Sequence, residues 1–416
     1  MSRLDELIRE LCPDGVAYIA LGKLGKFYGG LTGKSKSDFT DGNAAFITYR
    51  NVYANPALDT APTDKVKIAE GENQRTLEYG DVIFTGSSET PDECGISSVV
   101  TTKPHEALYL NSFCFIFRFD DLSIIEPDYA KHLFRSTELR YQIGKTASGV
   151  TRYNVSKDKM AKVVIPIPPI EVQREIVLIL DKFTELSAEL SAELSARQRQ
   201  YSYYREKLLT FDDSNEYVRL SLKDLGSWCG GCTPSTSNRK YWEDGQYPWI
   251  SSKDMKSPYL EDTQDHLTDV ALQETSIKLL PENITAIVVR SGILKHTLPV
   301  VYVPKPVTIN QDIRALIPGE FILPRFAYHL IAGYSKEILA KAKKQGGTVD
   351  SLDTKLLMDF IVSIPSIEEQ QRIVSILDYF DTICNDLATG LPAEIEARQK
   401  QYEYYRDKLL TFKPLA

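Results

Sequence analysis

The chain has 416 residues, 43% of them hydrophobic and 25% charged, with a net charge of −8. These are globular proportions, long enough for two or three domains with cores of their own, and no apolar run approaches a membrane span. The acidic balance means that any nucleic-acid binding must rest on local basic surface.

The N-terminal MSRLDELIRELCPDG lacks a signal-peptide core, so a cytoplasmic location with no membrane partner is expected. Six scattered cysteines fit a reducing compartment without a disulfide framework. Residues 1–15 carry a short amphipathic helix, with Leu4, Leu7, Ile8 and Leu11 on one face and Pro13-Asp14-Gly15 as its stop.

Residues 16–166 read as a mixed domain. Short β-rich runs (Phe46–Tyr49, Asp81–Thr85, Phe113–Phe119) alternate with Gly, Asn and Asp turns. A helical stretch near Pro127–Gln142, a polar loop Gly144–Lys159 and a closing strand Lys162–Pro168 complete it.

A long helix follows over residues 167–212. Pro168-Pro169-Ile170-Glu171 supplies the start signals, and Ile176, Leu180, Phe183, Leu186, Leu190 and Leu194 form an apolar stripe. Its middle is LSAE-LSAE-LSAR, three tandem tetrads from Leu186 to Arg197, and it ends in RQRQYSYYREKLLTF, Arg197–Phe211.

That ending recurs as RQKQYEYYRDKLLTF, Arg398–Phe412, identical at 12 of 15 positions and offset by 201 residues. A near-copy at half-length marks a duplicated protein. Residues 213–364 repeat the first domain at lower similarity: Leu21-x-x-Leu24-Gly25 matches Leu222-x-x-Leu225-Gly226, and Gly30 and Thr32 match Gly231 and Thr233. Residues 365–412 form the second helix, with Ile373, Leu377, Phe380 and Leu387 on its stripe and a kink expected at Gly390–Pro392. Leu7-Ile8 falls opposite Leu208-Leu209 at the same offset, so the first helix reads as a remnant of the repeated helix end.

Helices this long with such stripes must pack on each other. The expected fold is α+β: two similar globular domains at opposite ends of an antiparallel two-helix coiled-coil spacer, as a pseudo-two-fold internal repeat. Tyr201, Tyr204 and Leu208, with Tyr402, Tyr405 and Leu409, are expected to serve the helix pair or a partner.

Catalytic constellations are absent from the sequence. Gly29-Gly30-Leu31-Thr32-Gly33-Lys34-Ser35 is one residue short of a phosphate-binding loop, so it reads as a turn where backbone approaches something closely. Cys229-Gly-Gly-Cys232 is a lone pair without further metal ligands, so no metal and no cofactor are expected. The five histidines make no ligand pattern.

What remains is binding surface. Lys145, Thr151, Arg152 and Lys157 fall in the first polar loop, and Lys341, Lys343, Lys344 and Thr348 in its counterpart, residues 336–351. The glycine turns add Thr32, Lys34, Ser35 and Lys36 in one domain and Thr233, Ser235 and Asn238 in the other, with Lys253 nearby. Such residues suit phosphate contacts and hydrogen bonds to base edges.

The order of motifs resembles the specificity subunits of type I restriction–modification systems over essentially the whole chain. The carriers are Leu11-Cys12-Pro13-Asp14-Gly15-Val16, the Gly230-Gly231-x-Thr233-Pro234 turn followed by Tyr241-Trp242 and Pro248-Trp249-Ile250, and the two helix entries ending Glu-x-Gln. The repeated tetrads and the two YYR(E/D)KLLTF segments complete them. The resemblance implies a non-catalytic subunit whose two target recognition domains each read one half of a bipartite site on double-stranded DNA. It also implies that the helices fix the gap, two methyltransferase subunits holding S-adenosylmethionine are recruited, and restriction subunits driven by ATP can join. The alternative is a two-headed scaffold for protein or glycan partners.

Overall fold

The computed structural model describes residues 3–211, 216–344, 349–386 and 389–415. The chain divides into two compact units, Met1–Glu189 with Glu396–Ala416, and Leu190–Ile395. Both divisions fall inside helices, so each unit holds one head, the start of the helix leaving it and part of the other helical segment.

The two heads share a topology although their sequences have diverged. In the first, Ala17–Ala20 pairs antiparallel with Val164–Ile167, bringing the head's entry and exit together. An antiparallel four-stranded sheet runs in the order Gly25–Gly29, Cys114–Phe119, Val82–Thr85, Ser97–Val99. A second sheet pairs Ala44–Ile47 in parallel with Leu108–Leu110. The second head repeats each step. Tyr217–Ser221 pairs with Ile361–Pro365, and the four-stranded sheet is Gly226–Gly230, Ile313–Pro318, Ile284–Val288, Val300–Val303. Tyr247–Ile250 lies parallel to Thr308–Ile309. Phe84, Phe117 and Phe134 are buried in one core, and Ile287, Leu316 and Phe326 in the other.

Local departures from expectation have physical reasons. The stretch near 127–142 is two helices, Pro127–Leu133 and Thr137–Gly144, because Ser136 caps the second. The strand expected at Phe46–Tyr49 is Ala44–Ile47, and Thr48 then caps a helix over Tyr49–Ala54. The polar loop 144–159 is a β-hairpin, Ala147–Ser148 with Tyr153–Val155, followed by a short helix Lys157–Met160. Its counterpart is helical over Ser335–Ala342, because Ile338 and Ala342 bury one face beneath the lysines.

The long helix is continuous over Ile170–Leu209. Ile176 and Leu180 are buried and Phe183 packs against the first core, but Leu186 is largely exposed, so the stripe is not sealed along its length. The second helical segment runs Ile367–Asn385 and resumes over Leu391–Leu409. Pro392 sits in the first turn of the resumed helix, where its missing N–H costs nothing. Leu387 lies outside the described residues.

Candidate nucleic-acid interface

The heads are fixed to their helices by a duplicated pin. Gln173 is fully buried; its Nε2 donates to the carbonyls of Ile124 (2.8 Å) and Pro168 (2.7 Å), and its Oε1 accepts from the Glu126 amide (2.9 Å). Gln370 does the same with Phe321 (3.1 Å), Pro365 (3.0 Å) and Leu323 (2.9 Å). About two turns along each helix a second pin recurs. His132 Nε2 meets Asp181 at 2.8 Å, and His329 Nε2 meets Asp378 at 2.6 Å. Lys131 braces the first carboxylate and Arg325 the second. Burial holds both histidines below their ordinary pKa, so the neutral ring is the form in place.

The repeated helix ends contribute to the frame in part. Tyr402 is buried and its hydroxyl lies 2.9 Å from His132 Nδ1. Tyr405 stacks on Phe183 at 5.3 Å, and Tyr201 and Tyr204 stack on Phe380 at 6.2 and 5.5 Å. Ile373, Leu377 and Phe380 are buried in the second unit, while Leu190 is half-buried and Leu208 and Leu409 pack at core edges. Tyr203 and Tyr404 are different: they are 58% and 62% exposed, each with a lysine ammonium near its ring, Lys207 at 5.9 Å and Lys408 at 5.8 Å.

The glycine turns are architectural. A side chain at Gly30 would strike the Asn111 carbonyl, and one at Gly231 the Ile309 carbonyl, so each turn presses against the equivalent strand end of its own head. Asn111 and Asn310 repeat one turn, accepting from the amides of Phe113 (2.8 Å) and Asp312 (2.9 Å). The Trp residues of the second turn build a small core beneath it: Trp242 meets Trp249 edge-on at 5.0 Å, and Trp249 Nε1 donates to the Cys232 carbonyl at 3.2 Å.

Several of the residues expected to contact DNA have partners within the chain. Lys34 Nζ lies 2.6 Å from both the Lys67 carbonyl and Glu72, whose carboxyl is held down at about 2 by that ammonium. Lys253 is paired with Asp265 at 2.6 Å, and Lys343 with Asp350 at 3.2 Å and the Leu294 carbonyl at 3.0 Å. Ser35 caps the 3₁₀ turn Lys36–Phe39 through Asp38 at 2.7 Å. Gln74 holds Thr32's backbone, Thr233 bonds to Gln311, Ser235 to Ser237, and Asn238 opens the turn Arg239–Tyr241. Lys341 lies 4.9 Å from the Phe360 ring on its helix. Thr348 lies outside the described residues.

Of the expected cations, Lys36, Lys145, Lys157, Lys341, Lys344 and Arg152 are exposed and have no ion pair among the described residues. Lys145 sits 3.9 Å over the Tyr141 ring, and Lys157 lies beside Gly29 and 5.6 Å from the Phe115 ring. Thr151 and Arg152 form the tip of the hairpin. Gly149 enters that tip at φ +151°, where any side chain would strike the Arg152 carbonyl. Val150 beside them is 91% exposed.

Beneath the tip lies a groove that sequence reasoning missed. The hairpin is stitched to Ser87–Ser88 (Tyr153 opposite Ser88), and the short helix Tyr49–Ala54 forms the facing wall. Tyr49 donates to the Ser87 carbonyl at 3.1 Å, and Tyr53 to Glu93 at 2.9 Å. Arg50, Phe113 and Arg152 line the opening. The TYRN run carried no signal beyond one arginine. In the second head, Arg290 takes the place of Ser87 and is paired with Asp312 at 2.6 Å. Arg314, also unforeseen, lies against Gly230.

Comparison with known families fits this duplicated plan. The model of the type I restriction modification DNA specificity domain matches twice, over residues 13–197 and 215–397. The chain belongs to this family. Within the specificity family, it is 49% identical over 263 residues to the EcoR124I/EcoR124II specificity subunit of Escherichia coli. That match covers 62% of this chain and 65% of the relative, just under two thirds of its length. A putative specificity subunit of Haemophilus influenzae is 34% identical over 64% of this chain and 68% of its own. Among solved structures, a chain from a type I R-M system matches with a TM-score of 0.64 at 18% identity, over 96% of this chain and 98% of that one. The S subunit from M. genitalium gives 0.52 at 14% identity, over 95% and 96%. The fold is therefore that of the specificity family: mixed α+β heads, duplicated, with long joining helices. Among the described residues no helix is long and apolar enough to cross a membrane, and no group of three His, Cys, Asp or Glu side chains is placed to hold a metal ion.

Proposed function

We propose that this chain is the DNA-specificity subunit of a type I restriction–modification complex in the cytoplasm. Each head reads one half of a bipartite site on double-stranded DNA, and the helices set the unread gap. Two methyltransferase subunits and the restriction subunits supply adenine methylation and ATP-dependent cleavage, and this chain positions them.

One contrast carries the reading. The pins Gln173/Gln370 and His132/His329 are kept in both copies, while the surfaces of the heads differ: Ser87, in the groove with Arg50 and Arg152 in the first head, is replaced in the second by Arg290, which is paired with Asp312. A frame held constant under diverged surfaces suits one protein reading two different half-sites. The exposed twins Tyr203/Lys207 and Tyr404/Lys408 support the partner count. A solvent-facing aromatic repeated on both copies serves no core, so it suits one partner bound twice.

Methylome mapping of a host with and without this gene tests the proposal. One bipartite methylation motif should vanish with the gene. An unchanged methylome, with no salt-dependent DNA binding by the assembled complex, would favour the scaffold alternative.

A further inference from the structure

Resting on that reading, we infer that the groove of the first head reads guanine in its half-site, with Arg50 and Arg152 as the reading side chains. Four observations converge on it.

First, both arginines are exposed and neither has an ion pair or side-chain hydrogen bond among the described residues, unlike Lys34, Lys253 and Lys343. Second, the groove walls are preorganised. Tyr49 and Tyr53 stack at 6.2 Å and anchor the wall to Ser87 and Glu93, while strand pairing fixes the hairpin. A reader held on rigid walls loses little entropy on binding. Third, the Arg152 guanidinium lies 5.7 Å from the Phe113 ring, and Phe113 is 58% exposed. An arginine resting on an aromatic ring keeps its planar fork free for a planar acceptor pair.

Fourth, the groove carries acids as well as bases. Hydrogen bonds from Tyr53, Thr90 and Ser88 hold Glu93 below the ordinary carboxylate range, so it stays charged, and Glu89 lines the same groove. Carboxylates repel the phosphate backbone, so the two guanidiniums are placed for a base edge. Guanine offers the matching O6/N7 acceptor pair in the major groove. The exposed lysines of the same head that do not line the groove, Lys36, Lys145 and Lys157, are left for phosphates.

The test uses the full complex with its methyltransferase subunits. Its methylome gives the motif of the wild type, of Arg152→Ala and of Arg50→Ala. The expected result is at least one guanine in the half-site read by the first head, relaxed to any base in one or both variants, with the other half-site unchanged. Independently, 7-deazaguanine placed in that half-site removes N7 and should weaken wild-type binding by roughly 5- to 150-fold. This arm does not depend on how any variant folds.

A half-site without guanine overturns the inference. So does full wild-type affinity for the 7-deaza duplex, or variants that lose methylation evenly while the motif stays intact, which is the signature of a phosphate contact. All three leave the specificity role standing. Loss of that role would instead show as no motif dependent on this gene.

Discussion

At the residue scale the joint between head and helix rests on a few buried polar side chains. Gln173 satisfies two carbonyls and one amide with a single fully buried side chain. Gln173→Leu keeps the volume but orphans all three groups. The expected loss is about 1–3 kcal/mol, read as a lower urea midpoint, with Gln370→Leu doing the same in the second unit. The histidines add a pH dependence. Burial lowers the pKa of His132 and His329 in the folded state, so the unfolded chain takes up protons first as pH falls. Stability is therefore complete above about pH 6.5 and declines as pH drops through the folded values. Burial pulls Asp181 and Asp378 upward, but their bonds to the histidines and cations win and both sit low, adding a further loss at more acid pH. The urea midpoint should fall between pH 7.5 and 5.5 and fall less in the double variant His132→Gln, His329→Gln. A flat wild-type profile contradicts this.

At the element scale the long helix and the repeated helix ends do separate work. The tetrads lie within one uninterrupted helix, Ile170–Leu209. Deleting Leu190–Glu193 removes roughly 6 Å of rise and turns the helix by about 40°. Against about 3.4 Å per base pair, that rise is just under two base pairs, so the recognised gap should shorten by about one base pair and by no more than about two, with both half-sites intact, as methylation mapping would reveal. Altered half-sites would sink the idea. The exposed tyrosines make a second prediction. Tyr203→Ala with Tyr404→Ala removes one edge-on ring contact each, with Tyr204 at 5.5 Å and Tyr405 at 5.3 Å, but no buried side chain, so thermal unfolding should change little. Capture of the methyltransferase subunits should weaken, by about 2 kcal/mol per site if these are central contacts; titration calorimetry would show it. Sequence pattern located these helices because a long apolar stripe, Ile176 to Leu194 in the first, and a near-identical copy are strong signals. It did not separate the buried tyrosines from the exposed ones, because that depends on which face meets the core.

At the scale of the whole molecule a net charge of −8 has to coexist with DNA binding. Three of the lysines that looked available, Lys34, Lys253 and Lys343, are spent on Glu72, Asp265 and Asp350, which lowers the positive charge free for phosphates. Under the proposed function the chain alone should bind DNA weakly. Addition of the methyltransferase subunits should raise affinity and steepen the salt dependence as more phosphates are engaged. Gel shifts across a salt series measure both, and equal slopes with and without partners would contradict the expectation.

Sequence alone determined the duplication, the α+β class and the long helices. Each is written in short-range pattern: periodic apolar residues, turn glycines, and the repeat itself. The specific site was not legible. Lys34 and Lys36 look alike in sequence, yet one lies against Glu72 and the other faces solvent. Arg50 and Arg152 are about a hundred residues apart and meet at one groove only because Tyr153 pairs with Ser88 and Tyr49 bonds to Ser87. Strand register and long-range hydrogen bonds decide which cations are neutralised and which are presented, and those are properties of the tertiary structure.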